Sequence, residues 1–223
     1  MSRTTKIVLV VWILALIAGG AWVARDTLRP VDPQREAPKG FFSGENSLAA
    51  SIGGPFTLTD QNGVERTDRD FRGRLMLIYF GYTYCPDVCP TELTVMTTAL
   101  DQLGADASQV VPIFITIDPE RDTPKLLKDY VAQFSDKLMG LTGSERDVAA
   151  AAKAYRVYYS KSPGSAGAPY LMDHTSLVYL MDRDGRFLKH FTPNGKAEDM
   201  VAAMRLALAK PLPPAAPPAP ASQ

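Results

Sequence analysis

Cysteine and histidine are both scarce, with two of each in 223 residues. Two cysteines permit one disulfide at most, and a closed zinc site built on them would want further ligands that no other cysteine supplies. Lysine and arginine never gather into a long block, and 24 basic residues balance 24 acidic ones. The electrostatic footprint that holds nucleic acid is therefore missing. No internal repeat is present. What the chain does have is 46% hydrophobic residues, enough for one respectable core in one globular domain with appendages.

The first appendage is apolar. Residues 7–24 (IVLVVWILALIAGGAWVA) carry no charge, and as a helix rising about 1.5 Å per residue they reach roughly 27 Å, close to the hydrocarbon thickness of a bilayer. Arg3 and Lys6 precede this run, which places residues 1–6 in the cytoplasm. The expectation is a single-pass anchor in the inner membrane of a bacterium, with the bulk of the chain in the periplasm. A cleaved signal peptide ending near Gly19-Gly20-Ala21 is the competing reading. Both deliver the domain to an oxidising envelope, where a lone cysteine pair becomes a disulfide unless something keeps it reduced. Residues 25–52, which include Pro30, Pro33 and Pro38, read as a flexible tether. Residues 53–209 read as the folded domain, and 210–223 as a disordered Pro/Ala-rich tail.

Within the domain, Phe56 to Thr59 and Val64 to Thr67 flank an Asn62-Gly63 turn, which predicts a small N-terminal hairpin. Leu75 to Phe80 and Val110 to Ile117 are continuous apolar runs of the kind buried on both sheet faces. The helical spacing of Leu93, Met96, Leu100 and Leu103 lies between them, so the unit is βαβ with parallel strands and a right-handed crossover. Thr123-Pro124 starts a helix to about Phe134, and Ser144 with Asp147 caps another through Ala154. A short strand is expected at Tyr155 to Tyr159. Thr175 to Met181 and Arg186 to Phe191 predict an antiparallel hairpin, and Gly195 to Ala209 a closing helix. A βαβ unit followed by a hairpin and a terminal helix is the thioredoxin arrangement. The expected class is therefore α/β, thioredoxin-like, with a central mixed sheet flanked by helices and an insertion before the C-terminal hairpin.

Both cysteines fall in FGYTYCPDVCP, at the first strand-to-helix junction. A helix N-terminus favours thiolate over thiol, and the i, i+4 spacing of Cys85 and Cys89 puts the sulfurs on one face whether the helix begins at Pro86 or Pro90. A plain disulfide here would close a loop too short to remove much unfolded-state entropy. Redox chemistry and metal binding remain. His174 stands at the entrance of the predicted hairpin, as a third donor or an ordinary packed histidine. His190 lies inside a strand pattern. Two thiolates and an imidazole make a soft three-donor set, for which copper as Cu(I) or Cu(II) is the natural match. Asp173 is placed to orient the imidazole or to cap the strand.

Four ordered segments carry a resemblance. They are Gly81-Tyr82-Thr83-Tyr84-Cys85-Pro86-Asp87-Val88-Cys89-Pro90, then Asp118-Pro119-Glu120-Arg121-Asp122-Thr123-Pro124, then Tyr155-Arg156-Val157-Tyr158-Tyr159, and Asp173-His174-Thr175. Together they resemble the SCO/SenC family of membrane-anchored, thioredoxin-fold copper proteins. The resemblance implies that Cys85, Cys89 and His174 are copper ligands. It implies a copper metallochaperone that helps to assemble the binuclear copper site of cytochrome c oxidase, with that copper-site subunit as partner. Other periplasmic copper chaperones or thioredoxin-like reductants are further implied partners. A thiol-disulfide oxidoreductase acting on the target's cysteines, or a redox sensor, is the alternative, with Cys85 and Cys89 as a redox-active disulfide. A thiol peroxidase fits less well, because the Thr-x-x-Cys setting is absent. Asp118 and Arg121 are assigned as partner-facing or as supporting the ligands from behind.

Overall fold

The computed structural model describes residues 52–164 and 169–210. The expected cytoplasmic tail, the anchor at 7–24, nearly all of the tether and the segment after 210 lie outside the described residues. Among the described residues, no helix is long and apolar enough to cross a membrane.

Two apolar runs build the centre. Strand β3 (Leu75–Gly81) and β4 (Val110–Thr116) are buried at every position and pair in parallel from Leu75↔Val110 to Gly81↔Thr116. Helix α1 (Val88–Leu103) connects them. Upstream, β1 (Thr57–Asp60) and β2 (Glu65–Thr67) form the expected hairpin. Its turn is closed by the Asp60 carboxylate, which accepts from the amides of Asn62 and Val64, while Gly63 takes φ 81°. Strand β5 (Met139–Thr142) joins the other edge of β4 in parallel. At the far side, β8 (Val178–Met181) runs antiparallel to β3, and β9 (Phe187–Phe191) to β8. The order in the seven-stranded sheet is β2-β1-β5-β4-β3-β8-β9.

Successive side chains of β3 point to opposite faces, and two aromatic clusters follow. On one face Tyr79 stacks on Phe114, which meets Tyr130 of α2 (Pro124–Val131). Helix α1 packs there against α4 (Ala197–Leu208). On the other face Phe80 meets Tyr155 and Tyr179, and Phe56 also reaches Tyr155. Tyr155 closes the C-terminus of α3 (Glu145–Ala154). Helices thus cover both faces of a mixed sheet, the thioredoxin-like layout.

Three expectations are revised. Only Tyr159 of the strand expected at Tyr155 to Tyr159 is extended. Tyr155 and Val157 instead bury themselves at the end of α3, and Arg156 adopts the left-handed region (φ 58°) to turn the chain. The strand there, β6 (Tyr159–Ser162), pairs with β7 (Leu171–His174) in a separate two-stranded sheet. The run Thr175 to Met181 is accordingly two pieces. His174 ends β7, residues 175–177 cross over, and β8 begins at Val178. The third revision is α2, which stops at Val131, three residues short of Phe134.

Candidate metal centre

The C-terminal ends of β3 and β4 are where this architecture presents functional groups, and the cysteines emerge there. Helix α1 begins at Val88 with Asp87 at its N-cap, between the two sequence-based alternatives. Proline is tolerated in the first turn because its missing N–H has no intrahelical partner there, so Cys89-Pro90 fits inside the helix. Cys89 is fully buried and Cys85 half-buried. The Cys89 amide donates to the Cys85 sulfur at 3.4 Å. Donation from the Cys89 thiol, joined by the amides of Cys89 and Asp87, outweighs burial and holds Cys85 well below the usual thiol range. Cys89 is correspondingly pushed up, by sharing its proton with Cys85 and by burial. The pair therefore carries one negative charge, centred on the more accessible sulfur.

His174 completes the cluster from the separate sheet. Its Nε2 lies 3.7 Å from the Cys89 sulfur, and its Nδ1 lies 3.2 Å from the Thr175 carbonyl. A carbonyl only accepts, so in the neutral ring Nδ1 carries the proton and Nε2 offers its lone pair. The edges of Tyr79 and Tyr82 enclose the imidazole. Metal bonds of about 2.3 Å to sulfur and about 2.0 Å to imidazole, opened to about 110–120°, set their donors roughly 3.5–3.7 Å apart. The observed spacing meets that requirement. Among the described residues, no three His, Cys, Asp or Glu side chains are gathered tightly enough to form a ready-made cage; Cys85 and His174 border a cavity of about 270 Å³ whose lining also includes Tyr82, Asp87, Met172 and Asp173, with Cys89 buried beside His174. The donor set is soft, and it suits a thiophilic ion.

A model of the family described as SCO1/SenC matches residues 44–209. The chain belongs to the SCO1/SenC family. It is 40% identical over 192 residues to the human mitochondrial SCO1 homolog, covering 85% of this chain and 61% of the human protein. This chain therefore spans less than two thirds of that relative's length. The structure of Bradyrhizobium japonicum ScoI with copper bound is 49% identical, with a TM-score of 0.65, over 70% of this chain and 99% of that one. BsSco, described as a member of the Sco family of cytochrome c oxidase assembly proteins and as having a disulfide switch, is 28% identical at a TM-score of 0.56, over 70% of this chain and 94% of that one.

The other residues singled out from the sequence of this SCO1/SenC chain take distinct places. Asp173 is exposed, and although alternation along β7 sets it opposite Met172 and His174, it too borders the cavity. The Thr175 carbonyl, not Asp173, is the partner of the ring nitrogen. Asp118 is buried, bonding Arg121 and accepting from the Tyr170 hydroxyl at 2.9 Å. Arg121 lies among Tyr82, Tyr84 and Tyr170. His190 is exposed on β9, stacked on Phe187.

Two site residues escaped sequence reading. Asp122 is buried and accepts from the Thr83 amide at 3.0 Å, from the Thr83 hydroxyl and from the Thr116 hydroxyl at 2.6 Å. It ties the loop before Cys85 to the end of β4. Gly81 is the other. A Cβ there would meet the Cys89 sulfur, Phe114 and Tyr79, each at 2.9 Å. Gly81→Ala is expected to cost about 1–3 kcal/mol through overpacking and to weaken metal binding by pushing the Cys89 sulfur out of place. Thermal unfolding with and without metal measures both effects. An alanine variant of wild-type stability would mean the crowding is relieved elsewhere.

Proposed function

We propose that this chain is a membrane-anchored copper metallochaperone of the bacterial periplasm. It binds one copper through Cys85, Cys89 and His174 and helps assemble the binuclear copper site of cytochrome c oxidase. The observation that carries the reading is the 3.7 Å approach of the His174 Nε2, at the end of the separate two-stranded sheet, to the sulfur of Cys89 in helix α1. The 49% identity to a ScoI structure with copper bound supports the choice of metal. Copper supplies the cargo, while the chain's residues do the holding. Cys85 brings a preformed thiolate, Cys89 a buried thiol that gives up its proton, and His174 an imidazole already in the right tautomer. The exposed side of Cys85 leaves the acceptor a route of approach.

Anaerobic titration of the reduced soluble domain with Cu(I) tests this. One equivalent is expected to bind, and the oxidised domain is expected to bind none, because a disulfide has no thiolate to offer. Undiminished binding to the oxidised domain would exclude the cysteine pair as ligands. A thiol-disulfide oxidoreductase is the second reading, favoured by a low-lying thiolate at half-buried Cys85 backed by Cys89. Catalysed reduction of a disulfide substrate, with no copper taken up, would establish that reading instead.

A further inference from the structure

The two halves of the proposed centre belong to different parts of the molecule. Cys85 and Cys89 grow from the main sheet, whereas His174 ends a two-stranded hairpin that shares no strand pairing with it. The base of this hairpin is closed on itself, by the Thr175 amide on the Tyr158 carbonyl at 2.9 Å and the Tyr158 amide on the Thr175 hydroxyl at 3.2 Å. Something other than a backbone ladder must set the distance between histidine and sulfur.

The segment from Asp118 to Asp122 touches both halves. Toward the hairpin, Arg121 donates from Nη1 to the Tyr170 carbonyl at 2.9 Å, and its guanidinium carbon lies 3.7 Å from the centre of the Tyr170 ring. The Tyr170 hydroxyl reaches Asp118, and Lys161 of β6 pairs with Glu120. Toward the cysteines, the same guanidinium lies 4.7 Å from the Tyr84 ring and 5.9 Å from that of Tyr82. Tyr84 directly precedes Cys85. Asp118 holds the other edge of the guanidinium. A planar cation can stack on one ring while bonding a carbonyl and a carboxylate in its own plane, which an ammonium cannot do.

We propose that Arg121 is a positioning residue: its guanidinium clips the hairpin bearing His174 to the loop bearing Cys85, and so sets the donor spacing at the metal centre. This rests on the copper reading above only for its effect on copper. The mechanical part stands on the metal-free contacts. The guanidinium keeps the Tyr170 and Tyr84 rings beside it, and loss of the clip frees the hairpin at its outer end while leaving both thiols where they are.

The test uses Arg121→Ala, Arg121→Lys, His174→Ala and the double variant Arg121→Ala with His174→Ala, all as reduced soluble domain. Competition for Cu(I) should show Arg121→Ala weakened by about 10–100-fold, the range found when groups supporting a ligand are removed, and Arg121→Lys falling between it and the wild type. In the His174→Ala background the same Arg121 substitution should change affinity by less than about twofold, because a residue acting through His174 has nothing left to act on. Equal losses in both backgrounds would place the effect on the thiols and overturn the proposal. In the metal-free proteins, hydrogen exchange should accelerate at least about tenfold across Tyr159–Ser162 and Leu171–His174 in Arg121→Ala, with β3 and β4 unchanged. Unchanged exchange in the hairpin would overturn it too. Should the wild type bind no copper, the copper reading fails, and the exchange result still decides the role of Arg121.

Discussion

His174→Ala is expected to lower Cu(I) affinity by more than about 100-fold, since even groups that only support a metal ligand contribute about 10–100-fold. The fold should survive the change. His174 is not part of the buried core and sits at the end of a hairpin outside the seven-stranded sheet. The substitution removes an imidazole framed by Tyr79 and Tyr82 and leaves the seven-stranded sheet intact. Competition against a chelator of known affinity gives the loss directly, and thermal unfolding of the metal-free protein should differ little. The two thiols would still capture copper, as a weaker two-donor site. Affinity equal to wild type would remove His174 from the ligand set and leave the cysteine pair as the whole of the site.

Asp122→Ala should produce the largest loss of stability among single changes near the site. The carboxylate receives the amide and hydroxyl of Thr83 and the hydroxyl of Thr116. The Thr116 hydroxyl is buried and the two Thr83 donors are partly so; a buried donor left without an acceptor costs about 1–3 kcal/mol, so a loss of about 3 kcal/mol is expected in denaturant unfolding. Asp122→Asn keeps one acceptor and should lose less. Burial raises the Asp122 carboxyl above its ordinary value despite these bonds. The native state then keeps this proton at a pH where the unfolded chain has released it, and the contribution is present at low pH and lost as pH rises through the native value. Relative to Asp122→Asn, the wild type should therefore gain stability as pH falls from neutral toward about 4. A margin that widens as pH rises instead would mean that the hydrogen bonds outweigh desolvation.

The parts of the molecule legible in sequence are those where one short stretch holds all the information. Leu75 to Gly81 and Val110 to Thr116 are buried at every residue, and a strand covered on both faces needs no alternation to be recognised. The Asn62-Gly63 turn and the Ser144 and Thr123 caps are equally local. Strand β5 was not legible. It is four residues long and contains Gly140, which looks like a breaker and is there because Val131 and Leu127 press to 3.0 and 3.3 Å of where a Cβ would be. The hairpin of β6 and β7 hid for a related reason. Tyr159–Ser162 is mostly polar and half-exposed, so hydropathy gave it no period.

The site divides along the same line. Cys85 and Cys89 announce themselves by spacing at a strand-to-helix junction. His174 is separated from Cys89 by 85 positions, and position alone left it between ligand and packing residue until the family resemblance singled it out. Asp122 lies inside Asp-Thr-Pro, where a helix cap explains the residues sufficiently, and its real partners are Thr83 and Thr116. The density of tyrosines around the cysteines, Tyr79, Tyr82 and Tyr84, is a signal from which the aromatic enclosure of His174 and Arg121 could have been read and was not.

Gly81 leaves just enough room for the Cys89 sulfur and none for an added atom on that side, where Phe114 and Tyr79 form the wall. The expected consequence is a division of labour under oxidative attack. Peroxide should meet the half-exposed Cys85 first and convert its thiolate to a sulfenic acid, and the sheltered Cys89 thiol would then displace water from it to form a disulfide. That product would stop short of the sulfinic and sulfonic acids, which are far harder to reverse, and a dithiol reductant would restore both thiols.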